Sequence, residues 1–151
     1  MMEKILFPVD LSEASPKIVS RVIEMAEKFE AEIHLLLVSG GIADIEGFQS
    51  HPSLRKLEDE ICATAERRLK EFQEEYLKDY PRVKRIVLRG VPSEEILHYI
   101  ESEKIDLVIM GTHGRKGLQH ALFGSVAEHI VKYSPVPVLT VNPYRQIRQG
   151  E

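Results

Sequence analysis

The sequence predicts an α/β protein built on a parallel sheet, and three observations carry that prediction. Strand-like apolar runs alternate with helical stretches along the whole chain. The first two runs, Lys4–Val9 and Glu32–Val38, are nearly continuous in apolar residues rather than alternating, which suits strands covered on both faces. With 151 residues, 43% of them apolar and 29% charged, the chain has the size and balance of one domain with its own core.

Each element follows from local signals. The first strand ends at Pro8-Val9-Asp10, and Ser15-Pro16 then offers an N-cap with proline at the first helical position. Ile18, Val19, Val22, Ile23, Ala26 and Phe29 recur at steps of three and four, the pattern of an amphipathic helix. After the second strand, Ser39 to Pro52 forms a long connection, of a kind often tied to function. Leu54, Leu57, Ile61, Ala65, Leu69, Phe72 and Tyr76 mark one long helix, docked on the sheet rather than paired in a coiled coil. Val83–Leu88 is the third strand. Gly90-Val91-Pro92-Ser93 turns into a short helix whose first turn carries Glu94 and Glu95, as the helix dipole favours. Asp106–Met110 is the fourth strand. Ser125-Val126-Ala127-Glu128 fits a capping box, with Ile130 and Val131 as the inner face of the helix that follows. Val136–Val141 is the fifth strand, and the proline inside it, Pro137, suits a sheet edge. A polar tail closes the chain.

Composition excludes several classes. A net charge of −4 argues against general affinity for nucleic-acid backbone. A single cysteine, Cys62, rules out an internal disulfide and a Cys-based metal cluster, and its place in a helical pattern reads as a small half-buried side chain. No apolar run approaches membrane-spanning length, and Met1–Asp10 turns polar too quickly for a signal peptide, so a cytoplasmic protein without membrane partners is expected.

The stretch Met110–Glu128 carries the chemistry. It sets Gly111 and Gly114 in a loop after the fourth strand and Gly124-Ser125 at a helix start. Glycine permits close backbone approach and positive φ, so amides can converge on an anion, and a helix N-terminus adds unpaired N–H groups and a favourable dipole. Two readings stay open on these residues alone: a phosphate cradle, or glycines that punctuate a βα connection.

The spacing Gly111, two residues, Gly114, nine residues, Gly124-Ser125 resembles the motif of the ATP-binding universal stress protein family. The likeness extends to Lys4–Asp10, Val87–Glu95 and Pro135–Val141, and leaves only the stretch from Ser39 to about Ser53 without a match. It implies a doubly wound, Rossmann-like, five-stranded parallel sheet in the order 3-2-1-4-5 with helices on both faces. The ends of the first and fourth strands are then neighbours at the point where the order reverses, and ligands bind at such switch points. A nucleotide-binding domain over residues 1–142 and a polar tail over 143–151 are expected.

What the resemblance implies for the site is an adenine nucleotide (ATP, or AMP or ADP) with Mg²⁺ held through its phosphates. Pro8, Val9 and Asp10 would wall the adenine and ribose, Val38 would touch the base, and Met110, Gly111, Thr112, Gly114, Arg115, Gly124, Ser125 and Val126 would complete the binding site. Packing is the competing role for Val38 and Met110, capping for Asp10 and Ser125, and a solvated loop for Arg115 and Lys116. His113 has no Ser, Cys or carboxylate partner near it in sequence, so no catalytic residue is assigned. Ser39-Gly40-Gly41 resembles the loop of ATP pyrophosphatases only superficially: it follows the second strand instead of the first and continues Ile-Ala-Asp. The expected function is that of an ATP-binding regulatory module in the stress response. A slow ATPase or phosphotransferase in the same pocket is the rival. The apolar edge strand Val136–Val141, together with the resemblance, points to a homodimer formed through it.

Overall fold

The computed structural model describes residues 2–40, 52–113 and 123–145. Five parallel strands, β1 (Lys4–Val9), β2 (Glu32–Ser39), β3 (Val83–Arg89), β4 (Leu107–Gly111) and β5 (Val138–Val141), form one sheet in the order β3-β2-β1-β4-β5. Helices α1 (Val19–Phe29), α2 (Pro52–Tyr76), α3 (Pro92–Ser102) and α4 (Ser125–Tyr133) cover it. The doubly wound class and strand order expected from the sequence are those observed.

The side-chain period of two along each strand divides the core into two layers. Ile5, Phe7 and Val9 of β1, Ile33, Leu35 and Leu37 of β2, and Leu107 and Ile109 of β4 pack with Val22 and Ala26 of α1 and Leu69 and Phe72 of α2. Leu6, Leu36, Val108 and Met110 face the other way, against Ile96, Tyr99 and Ile100 of α3 and Ala127 and Ile130 of α4. Both faces are apolar because both are covered, which is why the strands read as unbroken apolar runs.

One gap in this sheet positions the site. β1 and β4 are paired only at Ile5↔Leu107 and Leu6↔Val108. In a parallel ladder the next bond would run from the N–H at position 8 to the Ile109 carbonyl, and Pro8 has no N–H. On its other side β1 stays paired with β2 through Val9↔Leu37. β1 and β4 therefore part at their C-terminal ends.

Several local expectations are corrected. Ser15 does not cap α1: it opens a 3-10 turn, Ser15–Ile18, behind Ala14, and α1 begins at Val19. The capping box at Ser125 is absent, since Gly124 is the N-cap and no side chain caps the helix. Val131 is exposed while Ile130 is buried. β5 starts after Pro137, so the proline precedes the strand, which does lie at the sheet edge.

A polar pair crosses one core layer. His34 on β2 is 1% exposed; its Nδ1 lies 2.7 Å from the Tyr99 hydroxyl on α3 and its Nε2 lies 2.5 Å from Glu32 Oε1. Burial holds the His34 pKa below its ordinary value of 6.5, against the raising effect of Glu32, and burial likewise raises that of Tyr99. A depressed histidine means that the unfolded chain takes up the proton first, so stability is complete above pH 6.5 and declines as pH falls from there towards the folded-state pKa. Urea denaturation at stepped pH should show this decline, and the decline should be shallower in His34→Gln. Tyr99→Phe should cost about 1–3 kcal/mol at neutral pH, because it strips a buried ring nitrogen of its partner.

Candidate functional site: a cavity where β1 and β4 part

Where Pro8 ends the β1–β4 ladder, a cavity of about 420 Å³ opens. From β1 come Pro8, Val9 and, just beyond the strand, Asp10; from β2 come Leu36 and Val38. Met110 and Gly111 enter from β4, followed by Thr112 and His113, and the start of α4 supplies Gly124, Ser125, Val126 and Ala127. Ala14, Ser15 and Ile18 from the 3-10 turn and Pro92 and Ile96 from α3 close the wall. Every candidate residue chosen from the sequence lines this cavity except Gly114 and Arg115, which lie outside the described residues, as does Lys116.

Asp10 is held by its own loop. Its Oδ1 accepts from the Ser12 amide at 3.0 Å and from the buried Ser15 hydroxyl at 3.2 Å. Leu11 turns the chain there at φ 58, a left-handed conformation that costs a non-glycine residue roughly 1 kcal/mol. A staple of this kind orients a carboxylate towards the crevice without flexible side-chain entropy to lose.

The opposite end is a helix start. Thr112 ties three elements together through its backbone: its N–H donates to Val141 of β5 at 2.9 Å, and its carbonyl accepts from Gly124 N–H at 2.6 Å. The Gly124 amide is thus committed to the fold. Ser125, Val126 and Ala127 supply the next three amides, which an α-helix leaves without intrahelical partners, and all three residues line the cavity. Together with the dipole they form an anion-favouring end. The middle, built from Leu36, Val38, Ile96 and Met110, is apolar.

Gly111 has a packing reason of its own. A Cβ there would lie 2.6 Å from Ile18 Cδ1 and 3.1 Å from the His113 carbonyl oxygen, so a side chain at this position would have to push aside the end of Ile18, which seats the 3-10 turn on β4. His113, 6% exposed, pairs its Nδ1 with Thr112 Oγ1 at 2.9 Å, and its ring stands 5.9 Å from that of Tyr144. The Lys17 ammonium lies 5.3 Å from the centre of the Tyr144 ring, so the segment after β5 is drawn onto the cavity wall. Sequence reasoning missed Ala14, Ser15, Ile18, Leu36, Pro92, Ile96 and Ala127. The Asp10–Ser15 spacing was the available signal for the turn. Among the described residues no group of three or more His, Cys, Asp or Glu is gathered as a metal site, and no helix is long and apolar enough to cross a membrane.

The Gly111 contact has a measurable consequence. Gly111→Ala should destabilise the protein by about 1–3 kcal/mol through overpacking. A double-mutant cycle with Ile18→Val, which removes the clashing methyl, should recover part of that cost.

Universal stress protein MJ0531 of Methanocaldococcus jannaschii is 33% identical over 147 residues, covering 93% of this chain and 82% of its own. Universal stress protein MJ0577 of the same organism is 32% identical over 159 residues, covering 93% of this chain and 95% of its own. The solved structure of MJ0577 superposes with a TM-score of 0.79 at 31% identity, over 98% of this chain and 99% of that one. Likeness of fold alone extends to a universal stress protein from Archaeoglobus fulgidus solved in complex with dAMP, with a TM-score of 0.58 at 16% identity over 93% of this chain and 98% of that one. The model of the universal stress protein family matches residues 1–142, and the chain belongs to that family.

Proposed function

We propose that this chain is an adenine-nucleotide-binding regulatory module of the cytoplasmic stress response, holding ATP, or AMP or ADP, in the cavity between β1 and β4. One observation carries the reading: a single cavity has amides of α4 without intrahelical partners at one end and apolar side chains beside an oriented carboxylate towards the other. Phosphates would meet the amides of Ser125, Val126 and Ala127, and the base would lie against Val38 and Met110 with Asp10 accepting from ribose or base. A volume of about 420 Å³ suits a mononucleotide, since small-molecule pockets span roughly 300–1,000 Å³. Mg²⁺, which keeps several of its waters, would be held mainly on phosphate oxygens. The Archaeoglobus fulgidus protein with dAMP shares the fold, and the ligand assignment for this chain rests on the cavity itself.

Gly114 and Arg115 complete the proposed phosphate side on the strength of the motif spacing. Isothermal titration with Mg-ATP should give saturable heat with one site per subunit. Gly124→Val, which adds bulk at the anion end, should abolish it while circular dichroism shows a folded protein. Undiminished binding by that folded variant would place the phosphates elsewhere.

The proposed assembly is a homodimer through the C-terminal strand, Val136–Val141. β5 is an edge of the sheet, Leu139 on it is 36% exposed, and pairing with a second copy would cover both edges at once. Sedimentation velocity at micromolar concentration should report a dimer, and Leu139→Lys should shift it towards monomer. A parent protein that stays monomeric at every concentration would refute the assembly.

A further inference from the structure

The long helix α2 uses only part of its apolar stripe. Ala65, Leu69 and Phe72, in its second half, are buried against the sheet. Leu57, on the same stripe one and two turns earlier than Ile61 and Ala65, remains 41% exposed. Beneath this first half a second cavity of about 700 Å³ separates the helix from the C-terminal end of β2. Leu37 forms its floor and Leu57, Ile61 and Ala65 its apolar wall, while Val38, whose side chain packs in the opposite layer, borders it at the end of the strand. Exposed Glu60, Thr64 and Arg68 stand beside them at helical spacing.

This cavity is not separate from the one between β1 and β4. Asp10, Val38 and Pro92 line both. They lie at the end remote from the anion-favouring start of α4, which is the end the proposed function gives to the base. A ligand that fills the first cavity from Ser125 to Val38 therefore has its base edge, not its phosphates, turned towards the second.

On that reading of the site, we infer that the protein takes adenine nucleotides bearing an apolar group on the exocyclic edge of the base, with the group seated between β2 and α2. The apolar floor and wall reward a hydrocarbon substituent, and the exposed helix residues leave room for a polar end. A dinucleotide joined through its phosphates does not fit this geometry, because its second nucleoside would leave from the α4 end.

The probes are ATP, N6-benzyl-ATP and diadenosine tetraphosphate, compared by calorimetric titration on the full chain. N6-benzyl-ATP should bind within threefold of ATP or more tightly. Thr64→Trp, which fills the cleft from an exposed position, should weaken N6-benzyl-ATP at least tenfold and alter ATP by less than threefold. Leu57→Asp, which puts a charge on the wall, should act in the same direction and serves if the first variant is unstable. Three results overturn the inference: tenfold weaker binding of N6-benzyl-ATP than of ATP by the parent, equal weakening of both ligands by the variants, or variants that leave N6-benzyl-ATP unaffected. Preference for diadenosine tetraphosphate over both other ligands, lost in Thr64→Trp, also overturns it. Failure of ATP itself to bind the parent would instead count against the proposed function.

Discussion

The absence of one N–H group governs the shape of this molecule. A proline in a central strand is normally disruptive, because the ladder needs a donor at each alternate residue. Pro8 falls at the last position of β1 that turns towards β4, after Ile5 and Leu6 have already joined the two strands and while β2 still holds the other side. The sheet therefore keeps its continuity at the bottom and opens at the top. Without that opening, Asp10 and the start of α4 would border a closed seam.

A second constraint keeps the opening from spreading. The Thr112 backbone bonds at once to Val141 and to Gly124, so the end of β4, the end of β5 and the start of α4 are tied to one another. On the opposite wall, the 3-10 turn is fastened by the Ser15 hydroxyl to Asp10 and by Ile18 to the bare backbone of Gly111. The cavity is framed by fixed pieces, in keeping with the general need for rigid support beneath a binding site. The His34–Tyr99 pair adds a directional tie between β2 and α3, the helix whose first turns carry Pro92 and Ile96 to the same wall.

Much of this was legible in the residues, and the failures have physical causes. Strand positions were readable because two-sided burial forces continuous apolar runs, and Asp10, Val38 and Gly111, at or beside the strand ends, followed from them. Strand order came from family resemblance, since periodicity says nothing about which strands are neighbours. Ser15 was misread as a cap because a Ser-Pro pair looks the same before an α-helix and at the head of a 3-10 turn. The start of α4 was set one residue late because the Glu128 amide, which a Ser125 cap would need, already donates to the Gly124 carbonyl at 2.9 Å. In α2, regular spacing announced an apolar stripe of full length, and spacing cannot reveal that only its second half, at Ala65, Leu69 and Phe72, is buried.

The segment after β5 carries one further consequence. The chain has no tryptophan and five tyrosines, so its intrinsic ultraviolet emission is that of tyrosine alone. Tyr144 stands with its ring 5.9 Å from that of His113, a residue lining the cavity, and beneath the Lys17 ammonium. Of the five phenol rings, this one is coupled to the cavity wall through an imidazole whose position bears on the brightness of its emission. The protein thereby carries a native optical probe at its candidate site, free of the tryptophan background that masks such a signal in most proteins.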